Sequence, residues 1–178
     1  MCIKNILFCL LLISSFCSGQ NLFGVGTKIG AGNIKGNSIG VTSYYLSFFV
    51  DIPTPFTKKI KPRLGFVYAK DIESISPDNS FAYHSFLKGF TFGASTYQLL
   101  DNKFYIEESL GFLALNDRIF LNSSEWNYGI VFSLLGGLDL RKNKKNGIKI
   151  GVGFENGFTF TKSLSKYYSF YFQLQLIM

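Results

Sequence analysis

The last twelve residues, Tyr167 to Met178, read YYSFYFQLQLIM and sort by alternation into two surfaces. Phe170, Phe172, Leu174, Leu176 and Met178 share one phase, and Ser169, Tyr171, Gln173 and Gln175 the other. Side chains repeat with a period of two only along an extended strand. The same alternation returns along the chain, so the chain must build a sheet with two unlike faces. What remains is to decide which face meets which solvent.

Between the periodic segments stand turn signals and no convincing helix start. Strand one is expected from about Leu22 to Gly32, ending at Asn33 to Gly36, and strand two near Ile39 to Ile52, stopped by Pro53-Thr54-Pro55 because proline cannot continue a ladder. Strand three follows Pro62 to about Asp71, and strand four runs from about Leu87 to Leu100. The turn Asp101-Asn102-Lys103 leads into strand five, which reaches Leu115. Strand six covers about Asn127 to Leu140, strand seven Gly147 to Phe160, and the alternating terminus is strand eight. The connections after strands two, four and six are compact, whereas Ile72 to Phe86 and Asn116 to Trp126 are longer. An even strand number with short turns at one end and longer loops at the other describes an up-and-down transmembrane barrel, both termini on the short-turn, periplasmic side.

In strand six Tyr128, Ile130, Phe132 and Leu134 oppose Asn127, Gly129, Ser133 and Asp139; in strand seven Ile150, Val152, Phe154 and Phe158 oppose Lys149, Gly151, Glu155 and Thr159. In strand one Phe23, Val25 and Ile29 oppose Gly24, Gly26, Lys28 and Gly30. A soluble lipocalin-like barrel holding a small apolar ligand in the periplasm shows the same period, with the apolar face inward. The character of the polar face argues for the membrane. It is mostly Gly, Ser and Thr, suited to the crowded interior of an eight-stranded barrel, and too poor in charge for a water-facing exterior. Only 16% of the chain is charged and 17% is aromatic, with 20 Phe and 10 Tyr, against about 25% charged in soluble domains. The fold class expected is all-β, an eight-stranded antiparallel barrel.

The first nineteen residues stand apart. Lys4, the apolar run Ile6 to Ile13 and the small residues Ser18 and Gly19 describe a secretory signal peptide, leaving residues 20–178 as one barrel domain. Lipidation at Cys17 is the alternative, and Phe16 before it fits that pattern poorly. Cys2, Cys9 and Cys17 all lie in this segment, so the mature chain would carry no disulfide and no thiolate metal site. The formal charge of +7 falls to +6 once Lys4 leaves. It concentrates in turns such as Lys58-Lys59-Ile60-Lys61, which read as solvated or as attracted to acidic lipid head groups.

The whole of this pattern resembles the small eight-stranded outer-membrane barrels related to OmpA and OmpX, and the short outer-membrane β-barrel sequences of Bacteroidetes-type bacteria, whose mature chains often begin with Gln as Gln20 would. The C-terminal strand is similar to the assembly signal of those proteins, with Met178 where they carry an aromatic residue. The resemblance implies residence in the cell outer membrane of a Gram-negative envelope. It also implies contact with outer-membrane lipid and the insertion machinery, and structural, adhesive or protective roles without general chemistry.

Candidate site residues fall into two groups. Lys28, Arg63, Glu107, Asp139, Lys149 and Glu155 lie in the polar phase, where charges in a narrow lumen must pair because a lone buried charge is costly; a plugged lumen is expected, with a conducting path as the alternative. Phe81, Tyr83, His84, Phe120 and Trp126 fall in or beside the longer loops and suit binding of a surface protein or glycan, or, for Trp126 above all, the interfacial aromatic girdle. His84-Ser85, with Asp71, Asp78 or Glu125 as acid, is the sole handle for lipid A chemistry, and adjacent strand residues point to opposite faces. The chain is therefore not expected to be an enzyme. No metal cluster, cofactor motif or nucleic-acid signature is present; Gly24-Val25-Gly26 and Gly151-Val152-Gly153 are strand glycines with no helix after them. One irregularity stays open: Thr96, Gln98 and Glu108 share the phase of Phe90, Phe92, Leu110 and Phe112, which needs either a three-residue turn at Asp101 to Lys103, with Glu108 near the head groups, or a bulge.

Overall fold

The computed structural model describes residues 23–36, 40–54, 57, 59–76, 83–118, 124–141 and 146–178. The expected signal segment, Cys17, Asp78, Phe81 and Phe120 lie outside the described residues. Among the described residues eight strands are present: β1 (Gly24–Lys35), β2 (Val41–Asp51), β3 (Ile60–Asp71), β4 (Phe86–Leu99), β5 (Phe104–Arg118), β6 (Glu125–Asp139), β7 (Gly147–Thr159) and β8 (Lys166–Ile177). Each pairs antiparallel with its sequence neighbours, and β8 returns to β1 to close a barrel. Closure leaves no strand edge, the condition a sheet must meet inside hydrocarbon. The strands are 11 to 15 residues long, enough for a tilted crossing that needs about 9–11. Among the described residues no helix is long and apolar enough to cross a membrane.

The alternation translates directly into faces. In β8, Phe170 and Phe172 point outward, Phe170 with 66% of its surface exposed, while Ser169, Gln173 and Gln175 are buried inside. On β5 the outward Phe112 is 72% exposed. A lipocalin-like barrel would turn this phase inward, so the soluble alternative is overturned: Val25, Ile29, Phe48, Leu64, Phe90, Leu110, Leu134 and Val152 all stand on the outer wall. Such a wall is stable against acyl chains and not against water.

Three expectations change in detail. β1 does not end at Gly32: Asn33 pairs with Thr42 and Ile34 with Val41, because Ile34 continues the alternation and buries itself in the lumen. The connection expected over Asn116 to Trp126 begins and ends as ladder, with Asn116 opposite Trp126 and Asp117 opposite Glu125. The buried side chains of Asn116 and Asp117 keep those positions in the barrel, with β5 running on to Arg118 and β6 starting already at Glu125. Finally, the lumen is not only small and polar. Val67, Leu87, Leu113, Leu115 and Leu135 pack inside with Tyr45, Tyr105 and Tyr167. The interior of an eight-stranded barrel is about the size that side chains can fill, and here apolar and aromatic ones share it with the charges. Glycines make the space: a Cβ at Gly26 would lie 2.3 Å from the Phe49 ring, and one at Gly157 2.3 Å from the Tyr167 ring.

The irregularity at β4 and β5 resolves without a bulge. The ladder runs unbroken from Phe86 opposite Arg118 to Leu99 opposite Tyr105, with Thr96 facing Glu108. Leu100 then bonds Phe104 through its backbone N–H at 2.9 Å, leaving Asp101, Asn102 and Lys103 as the turn. Glu108 is exposed on the outer wall at the turn end, while Glu107 points in.

Candidate functional site

Two ion clusters span the lumen. Nearer the short turns, Arg63 on β3 donates from Nε to Asp51 Oδ1 at 2.6 Å and from Nη2 to Asp51 Oδ2 at 2.8 Å. The same Nη2 lies 2.8 Å from Glu107 Oε1, reaching past β4 to β5. Gln175 Nε2 donates to Asp51 Oδ2 at 2.7 Å, and Gln173 Nε2 to Glu107 Oε1 at 3.4 Å, bringing β8 into the cluster. The guanidinium also stacks 4.0 Å from the Phe49 ring centre. A planar fork can satisfy two carboxylates and an aromatic face together, which an ammonium cannot.

Higher in the barrel, Lys28 Nζ on β1 meets Glu155 Oε2 on β7 at 2.6 Å. Glu155 Oε1 accepts from the hydroxyls of Tyr45 and Tyr167, each at 2.7 Å. The ammonium sits 4.6 Å from the Tyr171 ring centre. Each charge is thus buried but surrounded by partners, the arrangement that makes a charge tolerable in a dry interior.

Of the six lumen residues read from the sequence, Arg63 joins Glu107 and Lys28 joins Glu155. Asp139 does neither. It takes Arg141, two residues on, at 2.8 and 2.6 Å and accepts the Arg141 backbone N–H at 3.1 Å, capping the turn end of β6. Bonded to that carboxylate, the Arg141 guanidinium is held above its usual value. Lys149, opposite Asp139 on the ladder, points its ammonium over the rings of Tyr97 at 3.9 Å and Tyr105 at 4.8 Å. Sequence reasoning missed Asp51, Tyr45, Tyr167 and Arg141 as cluster members. Asp51 and Tyr45 share the inward phase of Ser43 and Ser47, and Arg141 stood in a turn, where no phase applies.

At the opposite rim, Asp117 Oδ2 accepts from Asn127 Nδ2 at 2.9 Å and from the Ser163 hydroxyl. Thr159 donates to the Ser165 carbonyl at 2.9 Å, closing the tight β7–β8 turn. Tyr83 is exposed, and its hydroxyl donates to the Arg118 carbonyl, tying residues before β4 to the end of β5. Partial desolvation of its hydroxyl, despite the exposed ring, pushes Tyr83 above its usual value. Trp126 stacks on Phe90, ring centres 6.5 Å apart and 10° from parallel, on the outer wall as an interfacial girdle residue would. His84 turns away from solvent, with Nδ1 3.5 Å from Asp71 Oδ2. Ser85 meets Asp71 through its backbone carbonyl, which accepts the Asp71 N–H at 2.9 Å, and Glu125 lies 3.7 Å from Lys162. Among the described residues no group of His, Cys, Asp and Glu could hold a metal ion.

No protein-family model and no curated protein matches the chain. Solved structures do. The chain is similar to Neisserial surface protein A, with a TM-score of 0.64 at 8% identity over 86% of this chain and 96% of that one. It is similar to Ail, the attachment invasion locus protein of Yersinia pestis, with a TM-score of 0.56 at 8% identity over 89% and 99%. Ail in complex with the heparin analogue sucrose octasulfate matches with a TM-score of 0.50 at 9% identity over the same shares. The fold is that of the small eight-stranded outer-membrane barrels, and the belt of Phe, Leu and Val on its outer wall suits the outer membrane as its place.

Proposed function

We propose that the protein is a sealed, non-catalytic outer-membrane barrel, exported by residues 1–19, that serves as an anchored platform and binds a surface protein or glycan through its loop end. The observation that carries the sealed state is Arg63 reaching from β3 to Glu107 on β5 while paired with Asp51, with the Lys28–Glu155 cluster above it. Side chains so placed occupy the cross-section that a conducting path would need. The binding role draws support from the rim residues Tyr83 and Trp126, both exposed, and from the likeness to Ail with a sulfated sugar analogue bound.

Planar-bilayer recording of the purified barrel tests the sealed lumen: no steady conductance above the bare bilayer is expected, and a sustained open level would overturn it. Retention on immobilised heparin tests the glycan reading. The intact barrel should bind, and replacement of residues 77–82 and 119–123 by Gly-Ser linkers should abolish retention. Lipid A from cells with and without the protein should have the same mass spectrum. Loss of an acyl chain would instead favour hydrolysis at His84 and Asp71.

A further inference from the structure

The outward phase of the eight strands holds six side chains that are charged at neutral pH, and their placement is lopsided. Glu108 lies toward the turn end of β5; Lys35, Lys70, Lys88, Arg118 and Lys166 all lie at the loop end of their strands. Three of the five converge. Lys70 and Arg118 flank Phe86 in one ladder row. Lys88, two residues further along β4, lies opposite Tyr68 and Asn116, so it is a diagonal neighbour of both other cations, a separation of about 7–8 Å between Cα positions. Arg118 is held against the Phe86 ring at 5.7 Å, and Tyr68 packs 6.2 Å from the same ring. Among the described residues none of the three forms an ion pair with a carboxylate.

Three clustered cations without acids, in the outward phase at the loop end of the strands, stand on the wall where the outer head groups would meet the barrel. A shared anion with several oxygens, such as a phosphate, satisfies such a triangle and relieves its self-repulsion. We propose that Lys70, Lys88 and Arg118 form a site on the outer wall of β3–β5 for the phosphorylated head group of an outer-leaflet lipid, with Tyr68 and Phe86 as its aromatic floor. This rests on the membrane reading and on the loop end facing outward.

The test uses the full barrel in nanodiscs of phosphatidylcholine doped with diphosphorylated lipid A, with lipid retained on release into the gas phase read by native mass spectrometry. The triple variant Lys70→Gln/Lys88→Gln/Arg118→Gln is compared with Lys59→Gln/Lys103→Gln, which removes charge from the turn end instead. At roughly fivefold per cation beside an anionic surface, the triple variant should lose on the order of a hundredfold in retention, and the turn-end variant should behave as wild type. Retention by the triple variant, equal loss in both variants, or no retention by an inserted wild-type barrel overturns the site. A wild-type barrel that fails to enter nanodiscs at all overturns the membrane reading first, and the site with it.

Discussion

Lys28 and Glu155 lie 127 positions apart in the chain and 2.6 Å apart in the lumen. With Tyr45 and Tyr167 donating to the same carboxylate, one anion ties β1, β2, β7 and β8 together. Removing one member of a buried pair strands the other, at about 3–5 kcal/mol. Glu155→Leu should lower the unfolding free energy by about that amount in urea titrations in detergent. Thr159→Ser keeps the hydroxyl that bonds Ser165 and should shift stability by no more than about 0.5 kcal/mol. Lys28→Met/Glu155→Leu should recover most of the single-variant loss. Equal tolerance of Glu155→Leu and Thr159→Ser would mean that Glu155 faces bulk water.

Arg63 offers a sharper test of geometry, since charge can be kept while shape is changed. Lys in its place cannot make the two-pronged contact with Asp51 and still reach Glu107. Arg63→Lys should therefore cost about 1.5–3 kcal/mol, the range for a lost hydrogen bond to a charged group. Stability equal to wild type by the same titration would show that net charge alone matters there.

The two faces of β6 can be set against each other at adjacent positions. Phe132 is on the outer wall, its ring 5.9 Å from that of Phe154, while Ser133 is buried and bonded to Ser109 at 2.6 Å. Arg or Lys at the bilayer midplane costs about 2–4 kcal/mol. Phe132→Arg should sharply reduce the heat-modifiable, membrane-inserted form on cold detergent gels, and Ser133→Asn should reduce it much less. The opposite order would reverse the assignment of the faces.

Two glycines of the same strand give a control on packing. A Cβ at Gly129 would stand 1.9 Å from the Phe158 carbonyl oxygen of the next strand, whereas one at Gly136 meets nothing within 4 Å. Gly129→Ala must move backbone and should destabilise by about 1–3 kcal/mol. Gly136→Ala, facing outward, should stay within about 0.5 kcal/mol of wild type in the same unfolding experiment.

Alternation sufficed for the strands and their faces, because every other residue along a strand shares a side whatever the strand pairs with. That Phe170 and Gln173 lie on opposite faces follows from the terminal strand alone, and the Gly-, Ser- and Thr-rich character of the polar phase then turned Gln173, Lys28, Glu107 and Glu155 inward, where they are buried. Strand ends were harder to read. Asn116, Asp117 and Trp126 look like loop residues in the sequence, and only the ladder at the rim, with Asn116 opposite Trp126 and Asp117 bonded to Asn127, shows them to be part of the strands.

What the sequence by itself determined was the period of two, and with it the number of strands, the greasy outer wall and the set of charges turned inward. What only the tertiary structure decided was which of those charges meet. Asp139 pairs with Arg141 two residues away, Arg63 reaches from β3 to β5, and Lys28 reaches Glu155 past β8. Phase assigns a side chain to a face and says nothing of its height in the barrel. Partners across the lumen depend on the accumulated stagger of all eight strands, which exists only once β8 has closed on β1.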